Sequence, residues 1–113
     1  MATLATQTIP VDTGENDLAG ALAAAAAGGD TAEVGEGIFL VVLNGDASPH
    51  TATVATPSTF HGLAIPDVAV VVAADDIGIL PLSPEVFRGA ANRATITYDA
   101  VTSVTVGVFK LGR

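Results

Sequence analysis

Few side chains in this sequence could carry chemistry, and their spacing assembles none of the familiar sites. His50 and His61 are the only imidazoles, and they fall in separate turn-rich stretches. Without cysteine, two imidazoles make a thin ligand set for a transition metal, so both read as surface residues. Asp30, Glu33 and Glu36, and the pair Asp75 and Asp76, could offer oxygen ligands to calcium. Neither group has the alternating spacing of a calcium loop, and both read as solvated turns. Nucleophilic hydrolysis needs a serine held against a base, and no G-x-S-x-G elbow or local equivalent is present. Gly28-Gly29-Asp30 lacks the Gly-Lys-Ser/Thr of a phosphate loop and reads as a turn into a strand. With no Trp and one Tyr there is little platform for stacking a sugar beside paired carboxylates. No catalytic activity, cofactor or resident metal is therefore expected.

Contact surface is what the sequence does offer. Leu4, Ile9, Val11, Leu18 and Leu22 are large apolar residues in a segment too thin to bury them, and they are candidates for packing on a neighbour. Arg88, Arg93 and Arg113 are the only guanidinium groups, each able to pair bidentately with a partner's carboxylate. The charge is unevenly placed. Residues 1 to 76 hold ten Asp or Glu and no Lys or Arg; beyond them, four cations stand against Glu85 and Asp99. The net charge of −8 makes nucleic acid an unexpected partner, because a phosphate backbone rewards cations.

The elements that would position these residues divide at Gly37. Beyond it lie six short Val/Ile/Thr-rich runs: Ile38 to Leu43, Thr51 to Ala55, Val68 to Ala73, Ile77 to Leu82, Ala94 to Tyr98 and Ser103 to Leu111. The first, IFLVVL, is apolar at every position, as in a strand buried on both faces. It stops at Asn44-Gly45, a pair suited to the positive φ of a tight turn, so the first two runs form a hairpin. Pro57, Gly62 and Pro66 make residues 56 to 66 a loop or irregular edge. In the last run Val104, Val106 and Val108 share one face and Thr105, Gly107 and Phe109 the other. Closely spaced strands without helical insertions predict an all-β fold, a small antiparallel β-sandwich or partly open barrel over residues 37–113.

Residues 1–36 form an N-terminal arm on this reading. Met1 to Thr13 reads as extended, and Asn16 or Asp17 could cap a short helix over residues 17–27 that stops at Gly28-Gly29. A body of 77 residues has a marginal core, and 21 of the chain's apolar residues are only Ala. Cysteine is absent, which fits folding in a reducing cytoplasm and leaves assembly with other subunits as the stabilising device. The longest apolar runs, Ala21 to Ala27 and Val68 to Ala74, are seven residues each, against the roughly 20 of a membrane span, so no membrane partner is expected. No secretory signal is read near Met1, and synthesis in the host cytoplasm is expected.

One resemblance sharpens these expectations. The order Gly28-Gly29-Asp30, an apolar strand, Asn44-Gly45, Thr/Val alternation through Pro57, then Gly62-Leu63-Ala64 resembles tailed-phage capsid decoration or minor head proteins. It continues through Pro81-Leu82-Ser83-Pro84-Glu85-Val86-Phe87, Thr95-Ile96-Thr97-Tyr98 and Val101-Thr102-Ser103-Val104-Thr105-Val106 to Leu111, covering residues 28 to 111. The family pattern is more strand-like before the Gly-Gly-Asp turn, where this chain has Ala23 to Ala27. The resemblance implies a β-sandwich fixed to the outside of an icosahedral head, as trimers or clusters at local symmetry axes. Its implied partners are the major capsid protein and copies of itself, and it carries over no catalytic residue. The arm would then act as a clasp. The alternatives are a head-to-tail connector or tail component and, from another class, a non-catalytic soluble binding module.

Overall fold

A computed structural model of the protein describes residues 2–57 and 59–112. All six expected runs are strands: β5 (Ile38–Asn44), β6 (His50–Val54), β9 (Val68–Val72), β10 (Asp76–Pro81), β11 (Arg93–Tyr98) and β12 (Val104–Leu111). Four short strands precede them, β1 (Ala2–Thr3), β2 (Thr6–Ile9), β3 (Ala23–Ala24) and β4 (Asp30–Glu33). Within the expected loop, β7 (Thr59–Phe60) and β8 (Leu63–Ala64) form a small hairpin of their own. The only α-helical turn among the described residues is α1 (Pro84–Phe87), entered through Pro84, whose missing N–H costs nothing at a helix start.

Two sheets pack face to face. Sheet A has the order β1-β4-β11-β6-β9, and sheet B the order β10-β5-β12-β2, with β3 also on the outer edge of β12. Period-two alternation sends Leu40, Val42, Val104, Val106 and Val108 of sheet B against Ala32, Ala52, Val54, Ala94 and Ile96 of sheet A, and all are buried. Leu82 and Phe87 close one end of this core. Alanine in sheet A is small enough to let the sheets approach, so the sandwich is the all-β architecture that the turn and strand spacing predicts.

The arm is where the structure departs from the sequence reading. Residues 1–36 do not stand apart from a 37–113 body, because their backbone pairs with both sheets. β1 runs parallel to β4, which pairs with β11; β2 runs parallel to the end of β12, and β3 lies antiparallel to its beginning. The chain changes sheets at Leu4, whose amide donates to the Thr31 carbonyl at 2.8 Å and whose side chain joins the core. The helix expected over 17–27 is a single 3-10 turn at Ala19–Ala21, after which the alanines extend into β3. The backbone groups on the edge of β12 need partners, and that outweighs the weak helix propensity of a ten-residue stretch.

The Asn44-Gly45 turn also works differently from expectation. Asn44 ends β5 in full burial, and neither residue takes a positive φ. Its side-chain amide nitrogen donates to the carbonyls of Ser48 (2.8 Å) and Val72 (3.1 Å), while its carbonyl oxygen accepts the Asp46 amide (3.0 Å). One buried amide thus shapes the β5–β6 loop and fixes β9 beside it. At Gly29 (φ +93°) the backbone passes so close to β11 that a Cβ would come within 2.7 Å of the Ile96 carbonyl oxygen.

Arg93 fastens the arm. Its guanidinium donates to the carbonyls of Leu4 (2.9 Å) and Thr31 (3.1 Å) and to the Thr31 hydroxyl (3.2 Å), bridging β1 and β4 from β11. Charge-assisted donors of this kind hold more strongly than neutral ones. Replacing Arg93 by Met, which keeps much of the stem, is expected to cost about 1–3 kcal/mol in denaturant unfolding. It should also speed hydrogen exchange at the Leu4 amide while the β5 amides keep their protection; unchanged exchange at Leu4 would show that the arm is held without the staple.

Candidate functional site

The groups most able to do chemistry are drawn into internal contacts. His50 opens β6 with its Nε2 2.8 Å from Asp46 Oδ2 and its Nδ1 3.3 Å from Asp99 Oδ1. The Asp46 hydrogen bond raises the imidazole pKa above its ordinary value, and the Asp99 charge adds to it. The same bond lowers the pKa of Asp46, while Asp99 is lowered first by the Thr51 amide and then by Ala100. With both ring nitrogens facing carboxylates, this imidazole has no lone pair turned to a substrate. It fastens the β5–β6 loop to the β11–β12 loop.

Asp30 and Tyr98 form a second internal pair. The Tyr98 hydroxyl donates to Asp30 Oδ2 at 2.6 Å, and burial together with that carboxylate pushes the phenol well above its ordinary pKa. Asp30 is buried while Glu33, exposed, accepts the Thr6 hydroxyl, so the two carboxylates do not form a common oxygen site. Among the described residues no group of three His, Asp or Glu is placed to hold a metal.

Contact surface is where the molecule is unusual. The outward residues of sheet A are largely threonines: Thr31 on β4, Thr51 and Thr53 on β6, Thr95 and Thr97 on β11. The outward residues of sheet B are apolar. By register, Ile77 of β10 sits beside Leu43, Ile79 beside Val41, and Pro81 beside Phe39. On the other side of β5, Phe109 of β12 stands opposite Phe39, the rings stacked at 6.0 Å, and Gly107 opposite Val41. Val41 and Phe109 are fully buried although they face away from the core between the sheets.

Part of this second apolar layer is covered by the arm. Leu22 lies over Gly107, where a Cβ would come within 2.7 Å of its Cδ2, and the Gln7 amide holds the Ala21 carbonyl at 2.9 Å. Beyond that cover the face is open. Ile79 is 58 % exposed, Leu111 56 % and Ile77 42 %. A groove of about 550 Å³ runs beside them, with Phe39, Ile79, Pro81 and Leu111 among its apolar lining and Glu36 and Glu85 among its polar lining.

No protein-family model, curated protein or solved structure matches this chain.

The candidate contact residues of the sequence separate on this framework. Leu4 is in the core, Leu22 covers Gly107, and Ile9 and Leu18 are half-buried, so the arm's apolar residues pack largely on their own domain. Arg93 is spent on the staple. Val11, at 70 % exposed, and Arg88 stay on the surface, and Arg113 lies outside the described residues. The residues the sequence reading missed are Ile77, Ile79, Pro81 and Leu111. Their signal was present in the two-sided apolarity of Ile38 to Leu43, which demands an outer apolar layer from the strands flanking it.

The His50 cluster makes a pH prediction. An imidazole with a raised folded pKa contributes stability that is complete below its ordinary value and is lost as pH rises through the raised one. Its carboxylates, with lowered values, contribute above the ordinary carboxylate range and lose that as pH falls. The clamp is therefore strongest between the two. Calorimetric Tm at about pH 5.5 relative to about pH 9 should exceed the same difference in His50→Gln; equal differences would remove the clamp from the stability of the fold.

Proposed function

We infer that this chain is a structural virion protein that decorates and stabilises the outside of a tailed-phage capsid. It binds the major capsid protein through the apolar outer face of sheet B and works by contact, without catalysis. The observation that carries the reading is the exposure of Ile77, Ile79 and Leu111 on one face, beside a groove, in a molecule whose other sheet turns threonine outward. Large apolar side chains gathered in one patch are a sign of a partner surface, since scattered ones would need no explanation.

The virion setting is supported by the run of motifs across residues 28 to 111 that resembles capsid decoration and minor head proteins. Contact as the mode of action is supported by the internal use of the titratable groups at His50 and Tyr98. A single small interface is weak, but a protein holding several contacts on a repeating shell gains from effective concentration. Copies of the chain clustered at local symmetry axes would use that gain.

The test pairs stoichiometry with a surface change. Mass analysis of purified particles should find the chain in proportion to the major capsid protein, whereas one ring per particle would make it a connector. The double change Ile77→Ser with Ile79→Ser should lower occupancy on those particles, with the monomer's stability moving by only about 0.5 kcal/mol per site. A chain missing from particles, or a double variant at full occupancy, overturns the reading.

A further inference from the structure

We propose that the groove beside Ile79 takes a short protein segment in which large apolar side chains are interleaved with Lys or Arg. The inference deepens the reading of sheet B's outer face as a docking face by naming the chemistry of what docks there.

Two features of the groove select this occupant. Its floor, Phe39, Ile79, Pro81 and Leu111, is apolar and continuous with the stacked Phe39–Phe109 pair, so it rewards side chains that displace water. Its polar lining is acidic: Glu36 and Glu85 contribute carboxylates, and no Lys or Arg lines it. Lys110, the neighbour of Leu111, belongs by alternation to the opposite face of β12. The wider field has the same sign, since residues 1 to 76 contain no basic residue and the chain carries a net charge of −8. An incoming cation is thus steered at long range and paired at the rim, while an acidic segment is repelled.

The same charges argue against a symmetric contact between copies. A two-fold interface through this face would bring Glu36 and Glu85 of one protomer against the same patch on its partner, with no cation in the lining to offset them. The volume, about 550 Å³, and the open shape suit a few side chains of a segment laid across the strands.

The experiment uses the full-length chain and three short synthetic peptides: Leu alternating with Lys, Leu alternating with Glu, and Ser alternating with Lys. Titration followed by backbone amide NMR should show saturable shifts at Gly37 to Phe39, Ile79 and Leu111 for the Leu/Lys peptide alone. Glu36→Gln with Glu85→Gln should weaken that binding about threefold to tenfold, and Ile79→Ser should weaken it while leaving the spectrum of the unbound chain dispersed. Raising the salt should weaken it as well.

No saturable shift with the Leu/Lys peptide at millimolar concentration overturns the proposal, as do equal binding of the Leu/Glu peptide and shifts centred on sheet A. Concentration-dependent shifts of the chain alone at this face would assign it to a second copy and overturn the proposal equally. None of these results touches the copy number of the chain on particles, so the failure of this inference and the failure of the virion reading can be told apart.

Discussion

The need to bury both faces of β5 governs the rest of this structure. Ile38 to Leu43 is apolar at every position and lies inside sheet B between β10 and β12. One set of its side chains, Ile38, Leu40 and Val42, is covered by sheet A. The other set, Phe39, Val41 and Leu43, faces away and needs a second cover that a two-layer domain does not supply by itself. Phe109, Leu22 over Gly107, and Ile79 provide part of it. What they leave uncovered is the exposed patch and its groove, so the docking surface and the folding constraint have one origin.

The arm answers the same constraint from the edges. A small sheet with an open β12 edge would expose unpaired backbone groups beside apolar side chains, a template for unwanted pairing. β3 and β2 occupy that edge in turn, and between them the chain loops out and returns with Leu22 over the sheet. The crossing at Leu4 lets one segment close an edge of each sheet, and the Arg93 guanidinium holds the crossing in place. A protein without disulfides and with many alanines thereby enlarges its core with residues that local patterning leaves unassigned.

Much of the fold was legible because strand alternation and turn residues are local signals. The six runs, the hairpin of β5 and β6 and the sandwich follow from them. The arm was not legible for a physical reason: β1, β2 and β3 are short, carry no alternation of their own, and are strands only because β4 and β12 present edges to them. Ala23 to Ala27 has the composition of a helix and the surroundings of a strand, and tertiary pairing decides. Asn44 illustrates the same limit on a smaller scale, since its role depends on the carbonyls of Val72 and Ala73, far along the chain. As for the candidate site, the sequence pointed to exposed apolar contacts but located them in the arm. The register of β10 and β12 on β5 moves them to Ile77, Ile79, Pro81 and Leu111.

The central claim is that sheet B's apolar outer face meets the partner and sheet A's threonine face does not. Hydroxyl-radical footprinting of the chain, alone and then assembled on purified particles, tests it directly. Protection on assembly should concentrate at Phe39, Ile77, Ile79, Pro81 and Leu111, with Val71 on the sheet A side labelled as before. Protection centred on Val71, or equal labelling of the sheet B residues in both states, would contradict the account.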